Sequence, residues 1–378
     1  MAPAAKQSIL AVNTGSSSVK FQLFADASDL TLLAKGEVEN IGSTPVFSAT
    51  DEQTQRTEHK TLPASCTYES ALQCILDWTG YEIGNWQVTS VVHRIVHGGS
   101  TFRKSVMVTP DVMEKMKALS PFAPYHQPHN LAGIEIISKI KSEMPQIACF
   151  DTAFHSARDH LFTEYALPKK RRDQGIRRYG FHGLSYEWIS HTLRRDEPAL
   201  AAGRVIAAHL GSGASVCGML NGTSIDTSMG LTALEGLPMG SRCGNLDPGA
   251  LIYMIRNLGL SAEDAETMLY SESGLLGLSG LSGDVKVLQD SDKPEAQFAL
   301  DYFSLRTAQF IGEMAVALGG VDGIVFTGGI GENSPIVRDK ILARLAFLKP
   351  YAVHVIPANE ERMMAMHAQA CLETHKRS

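Results

Sequence analysis

One pattern in the chain occurs twice, and it restricts the fold more than any other feature. Ile9-Leu-Ala-Val-Asn-Thr-Gly-Ser16 aligns without gaps on Val205-Ile-Ala-Ala-His-Leu-Gly-Ser212. Each is an apolar run that breaks at a Gly-Ser turn and resumes as a second apolar run, the signature of a buried strand, a tight turn and a further strand. Strand-turn-strand units are common. As a repeat, however, the pair describes two copies of one α/β domain, with their two turns confronting each other across a cleft. The first turn, Asn13-Thr-Gly-Ser-Ser-Ser18, is followed by Lys20. It reads either as an ordinary polar hairpin or as a nest for an anion. Backbone N–H groups at a Gly-containing turn, the hydroxyls of Ser16 and Ser18 and one ammonium suit phosphate.

Length agrees with two domains, because 378 residues exceed the size at which one core keeps growing. With 44% hydrophobic and 20% charged residues the chain is globular rather than disordered. A net charge of −6 gives no support to nucleic-acid binding through bulk charge. The basic run Lys169–Arg172 with Arg177 and Arg178 reads as a solvated surface loop. Six cysteines contain no C-x-x-C pair, which excludes the usual zinc and redox motifs. Cys149 and Cys217 lie in apolar runs and read as core thiols. No signal peptide and no apolar run of membrane-spanning length are evident. The expected location is the cytoplasm, with no membrane partner.

Strands are expected over 9–24 (two), 31–39, 88–96, 147–150, 204–210, 214–220, 223–227 and 323–327. Helices are expected over 67–77, 131–141 with Asn130 as N-cap, 297–318, 335–347 and 360–375. Residues 121–130, 229–249 and 328–331 read as loops. Val353–Ile356 is strand-like.

Several segments carry chemistry-bearing residues. Gly328-Gly-Ile-Gly331-Glu-Asn333 lies between a strand and a helix, where glycines admit close backbone approach and a helix start favours negative charge. It is no Walker A loop, and its spacing is wrong for dinucleotide binding. Arg94 and Arg242 stand beside glycines, placed either for structural salt bridges or to clamp carboxylate or phosphate. His126, His155, His182 and His209 fall near turn residues. His182, in Tyr179-Gly-Phe-His-Gly183, is the sharpest of them, and their spacing does not suit a metal site. Asp151 and Glu360 are candidate Mg2+ carboxylates. Phosphoryl transfer needs positioning and charge stabilisation. An alcohol acceptor needs a carboxylate base, a role open to Asp151. A carboxylate acceptor is already ionised and needs cations and neutral donors, which Lys20, Arg94, His182 and Arg242 supply.

These segments together resemble the acetate kinase family across almost the whole chain. The carriers are Asn13–Lys20, His93–Gly99, Phe150–His155, Tyr179–Gly183, His209–Ser215, Leu234–Arg242, Phe326–Asn333 and Ile356–Glu360. The resemblance implies two duplicated actin-like (ribonuclease H-like) domains with a nucleotide cleft. The first spans 1–155, joined by a C-terminal helix 362–378, and the second, nucleotide-binding, spans 156–361. It further implies reversible in-line transfer between ATP and acetate, giving acetyl phosphate and ADP with Mg2+, or Mn2+ in its place, in a homodimer. Carried over by position, Arg94 and Arg242 would bind the carboxylate and the phosphoryl group. His182 would stabilise the transition state, and Asp151 would orient acceptor or metal. Asn13 would position the phosphoryl group and, with Glu360, serve the metal. Val96, Tyr125, His126, Phe181 and Ala233 would contact the acyl substrate. Ser16, Ser18, Lys20, His209, Gly211, Ser212, Gly213, Gly328, Gly329, Gly331 and Asn333 would contact the nucleotide.

Tyr125, Gln127, Ser212, Ala233 and Asn245 depart from the family's frequent residues. Two of them, Tyr125 and Ala233, fall on the acyl pocket, so propionate or another short-chain acid is the alternative acceptor. A nucleotide-switched module of the actin or chaperone kind and a sugar or glycerol kinase are the readings from other classes. Replacing either Arg94 or Arg242 with Ala is expected to cut turnover by orders of magnitude with little loss of stability.

Overall fold

In the computed structural model, residues 6–81, 83–84 and 86–377 are described. The chain divides into two compact units, residues 1–153 with 359–378, and residues 154–358.

The first unit is built on an eight-stranded sheet. Its strands are β1 (Lys6–Thr14), β2 (Val19–Ala25), β3 (Leu32–Glu39), β4 (Val46–Asp51), β5 (Arg56–Thr61), β6 (Trp86–Ile95), β7 (Val106–Met107) and β8 (Gln146–Phe150), in the order β5-β4-β3-β2-β1-β6-β8-β7. β1 pairs antiparallel with β2 and parallel with β6, and β6 pairs parallel with β8. Ile9, Leu10, Ala11 and Val12 are all buried, as a strand covered on both faces requires. Leu10 and Val12 share a core with Ala71, Leu72 and Ile75 of the helix Tyr68–Tyr81. The C-terminal helix Glu360–Arg377 packs on β1 and β6 through a face that includes Met364 and Ala368.

The second unit has five strands: β9 (Arg204–Leu210), β10 (Ala214–Leu220), β11 (Thr223–Thr227), β12 (Gly323–Thr327) and β13 (Ala352–Val355), in the order β11-β10-β9-β12-β13. β9 is antiparallel to β10 and parallel to β12, which is parallel to β13. The helix Pro294–Leu318 covers β9 and β10. The order β3-β2-β1-β6-β8 in the first unit and β11-β10-β9-β12-β13 in the second share one pattern. A three-stranded antiparallel meander leads into parallel strands, with β1 and β9 as equivalents. The sequence repeat is therefore a structural one.

Some expectations fail locally. Asn130 is no N-cap: the helix runs Gln127–Ile140, takes His126 as its cap and carries Pro near its start, so the expected 121–130 loop ends early. Gly328–Asn333 is a short helix, not a loop, because Glu332 Oε1 accepts from the Gly328 N–H at 2.9 Å and closes the turn. The helix near 335 stops at Arg344, and a separate turn of 3-10 helix follows over Ala346–Leu348.

Candidate active site

In the first unit, the chemistry-bearing residues gather at the carboxyl ends of the parallel strands, where open α/β sheets bind ligands. Arg94 is the penultimate residue of β6, and Asp151 follows β8 directly. Arg94 Nε donates to Asp151 Oδ1 at 3.0 Å and Nη2 donates to Oδ2 at 2.8 Å, a two-pronged pair with side chains 18% and 3% exposed. Burial opposes the guanidinium charge. Asp151, with Glu360 and Glu361 beyond it, more than offsets that and raises the Arg94 pKa above its ordinary value. Asp151 is therefore committed to holding Arg94, which leaves it poorly suited to act as a base.

Buried Asn130 ties two strand ends together. Its Nδ2 donates to the Thr14 carbonyl at 2.8 Å, and its Oδ1 accepts from the Val96 N–H at 3.1 Å. The stretch holding Asn13 is thus registered against the stretch holding Arg94 and Val96. Gln127 does the same for the next loop: it accepts from the His97 N–H and donates to the His97 carbonyl, both at 3.1 Å. The first Gly-Ser turn is closed by the Gly15 N–H donating to the Ser18 carbonyl at 2.8 Å. Ser16 is exposed and Ser18 half-buried on it, and Asn13 faces Lys20 in the β1–β2 register. Lys20 lies 3.6 Å from Glu37. His126 is half-buried at the helix cap, and Tyr125 is 39% exposed. Glu360 opens the C-terminal helix beside Glu361, whose carboxyl pKa is raised by burial and by Glu360.

In the second unit, His182 caps the helix Gly183–Asp196 in the left-handed region (φ 57°). Non-glycine residues enter that region at a cost. Its ring stacks on His209 with centroids 4.3 Å apart, and its Nδ1 lies 2.8 Å from Ser215 Oγ. A Cβ placed on Gly213 would fall 3.3 Å from His182 Nε2 and 3.8 Å from Arg242 Nη2. The imidazole edge, the guanidinium and the β9–β10 turn therefore converge on one point. Arg242 Nη1 donates to the Ala233 carbonyl at 3.0 Å. Among the described residues Arg242 has no carboxylate within ion-pair distance, and burial lowers its pKa. A half-buried guanidinium without an acid is a site prepared for an anion.

Arg242 also borders a cavity of about 1020 Å3 lined by glycines. The turn Gly211-Ser212-Gly213 edges it and is closed by the Gly211 N–H donating to the Gly213 carbonyl at 3.0 Å. Gly329 and Asn333 line it as well. Gly328 (φ 78°) stands where a Cβ would fall 2.7 Å from the Leu210 carbonyl, and Gly331 is buried. Gly240, Lys286 and Gln289 line the same cavity and were not expected to. The Asp284 side chain, accepting from the Lys286 N–H at 2.7 Å, caps the short helix Val285–Gln289 that carries two of them.

The loop bearing Ala233 and Arg242 is anchored from behind. Tyr165 donates to Glu235, accepts from the Leu231 N–H at 3.0 Å, and Arg178 lies 3.7 Å from Glu235. Phe181 is buried, and its carbonyl accepts from His155 Nε2 at 3.0 Å. His155 is thus a neutral structural group, its pKa pushed by burial down to about 3.

A sequence model of the Acetokinase family matches residues 8–351. The chain belongs to the acetokinase family. An acetate kinase of Rhodopseudomonas palustris is 44% identical over 90% of this chain and 86% of its own. One of Methylocella silvestris is 41% identical over 97% and 98%. Among solved structures, a propionate kinase from Francisella tularensis superposes with a TM-score of 0.89 at 35% identity, covering 96% of this chain and 98% of that one. The Porphyromonas gingivalis acetate kinase gives 0.86 at 32%, covering 97% and 100%. The fold of this acetokinase-family chain is accordingly the duplicated actin-like one, and the family's members are kinases.

Proposed function

We propose that the protein is an acetate kinase, moving the γ-phosphoryl group of ATP reversibly and in line onto the acetate carboxylate. The observation that carries the reading is the convergence of Arg242 and His182 Nε2 on Gly213, with Arg242 bordering the glycine-lined cavity. Such groups stabilise charge without covalent help. A carboxylate acceptor is already ionised at neutral pH, and Asp151, the candidate base, is engaged by Arg94, which counts against a sugar or glycerol acceptor. The acetate oxygen forms its bond to phosphorus as the bond from phosphorus to the ADP oxygen breaks. Arg94 and Arg242 bind carboxylate and phosphoryl oxygens, and His182 donates to the charge that develops between them. Ser16, Ser18, Lys20, His209, Gly211, Ser212, Gly213, Gly328, Gly329, Gly331 and Asn333 serve the nucleotide.

Asn13 and Glu360 are the proposed residues for Mg2+, or Mn2+ in its place. The paired acids Glu360 and Glu361 suit a hard cation that keeps much of its water and phosphate shell. When bound, the ion neutralises phosphate charge. Val96, Tyr125, His126, Phe181 and Ala233 shape the acyl pocket. Propionate is the second reading, favoured by the departures at Tyr125 and Ala233 and by the propionate kinase among the similar structures.

A homodimer is supported by the helix Pro248–Asn257, which buries none of its residues and exposes Ile252 and Tyr253 by more than half. A cytoplasmic location is supported by six cysteines that form no disulfide. Among the described residues no helix is long and apolar enough to cross a membrane. Phosphorus NMR tests the reaction directly: ATP, acetate and Mg2+ should yield an acyl phosphate signal, and acetyl phosphate with ADP should yield ATP. Hydrolysis of ATP without acyl phosphate would refute it.

A further inference from the structure

We propose that Ser215 and Tyr186 are positioning residues that fix His182 in the tautomer carrying its proton on Nε2. The inference rests on the reading of His182 as a donor to the transferring group.

The three side chains form a chain of hydrogen bonds. Tyr186 lies on the first turn of the helix that His182 caps, and its hydroxyl is 2.5 Å from Ser215 Oγ. Ser215 Oγ is 2.8 Å from His182 Nδ1. Tyr186 and Ser215 are both fully buried, so each hydroxyl proton needs a protein acceptor. The Tyr186 hydroxyl also meets the His209 backbone, whose N–H donates to it and cannot take its proton, so the phenol donates to Ser215. Ser215 then directs its own proton to its remaining partner, His182 Nδ1. An imidazole that accepts at Nδ1 carries its proton at Nε2 when neutral.

The reverse assignment, with Nδ1–H donating to Ser215 and Ser215 donating to Tyr186, would leave the buried phenol proton without an acceptor. The ring plane is held independently by the stack on His209, whose Nδ1 is 2.9 Å from Ser185 Oγ. Nε2 thereby faces Gly213, where a Cβ would come within 3.3 Å and where Arg242 Nη2 also points. A donor in that place adds to the guanidinium in stabilising an anion, whereas the other tautomer would present a lone pair to it.

Long-range proton–nitrogen correlation spectra of protein labelled with 15N-histidine read the tautomer without activity. The His182 signals are assigned by their loss in His182→Gln. The expected result is the Nε2–H pattern in the wild type and in Ser215→Thr, which keeps a hydroxyl. A mixed or Nδ1–H pattern is expected in Ser215→Ala, and a partial shift in Tyr186→Phe. In steady state, Ser215→Ala should lose about 10–100-fold in kcat, with the KM values for ATP and acetate little changed, and Ser215→Thr should recover much of it. An Nδ1–H pattern in the wild type, or an unaltered pattern in both Ser215→Ala and Tyr186→Phe, overturns the relay. The predicted tautomer with near-normal turnover in His182→Gln overturns instead the donor role on which the inference rests.

Discussion

The sequence treats Arg94 and Arg242 as equivalents, and the structure predicts that their removal differs. Arg242→Ala deletes a half-buried cation that has a carbonyl but no carboxylate as partner, and whose charge desolvation already disfavours. Losing it relieves desolvation, so stability should be unchanged or improved. Turnover should fall about 10²–10³-fold, the effect of losing a transition-state donor worth about 2.7–4 kcal/mol. Arg94→Ala leaves Asp151, 3% exposed, without its two-pronged partner. Breaking one side of a buried pair costs about 3–5 kcal/mol. At about 2–4 °C per kcal/mol for a domain of this size, the melting temperature should drop by roughly 6–20 °C. The double variant Arg94→Ala/Asp151→Ala should regain most of that loss and none of the activity. Calorimetry on the four proteins beside steady-state kinetics decides the matter. Equal destabilisation by both single variants would refute the reasoning.

Other consequences are open to equally direct tests. Gly328→Ala should destabilise the second unit, because its φ of 78° and the Leu210 carbonyl 2.7 Å from the added Cβ both oppose it, whereas at Gly329 that Cβ meets nothing within 4 Å. Urea unfolding should show the difference, with Gly329→Ala altering ATP affinity alone. Gly230→Ala would drive a Cβ into the Glu235 carboxylate and the Tyr165 hydroxyl, so it should loosen the loop holding Arg242 and raise KM for the carboxylate, and an unchanged KM would count against that anchor. His155 and His93 have folded pKa values pushed by burial down to about 3 and about 4. Below about pH 6.5 the unfolded chain takes up protons that the folded chain refuses. Stability should therefore fall with pH by up to about 1.4 kcal/mol per unit per histidine. A urea midpoint that holds steady from pH 7.5 to pH 5 would contradict this. Ile252→Glu should shift a dimer toward monomer in sedimentation, and an unaltered dimer would place the interface elsewhere.

The parts legible in sequence were those in which one physical demand dominates. β1 and β9 each carry an unbroken apolar run, Ile9–Val12 and Val205–Ala208, because both faces are covered there, and their turns stand out against that background. β5 was missed because Arg56–Thr61 is polar and mostly exposed, without alternation to mark a strand. The helix Gly183–Asp196 was missed because it starts at a glycine, with no side-chain cap and a left-handed histidine before it. Asn130 has the type of an N-cap but is spent inside a helix, tying β1 to β6, and the Pro near the helix start was the better signal. Motif spacing pointed to Arg94, His182 and Arg242. What orients them was invisible, because Asp151, Ser215 and Ala233 reach them only through the fold.

Acyl phosphate formation with ATP and Mg2+, trapped as the hydroxamate, tests the central claim most directly when acetate, propionate, butyrate, glycerol and glucose are compared by kcat/KM. The account predicts turnover with the short carboxylates, acetate foremost, and none with the polyols. A methylene in such a pocket is worth only about 1–3 kcal/mol, so propionate should follow within about 10–200-fold. Turnover of glycerol or glucose, or no acyl phosphate from any acid while ATP still binds, would contradict it.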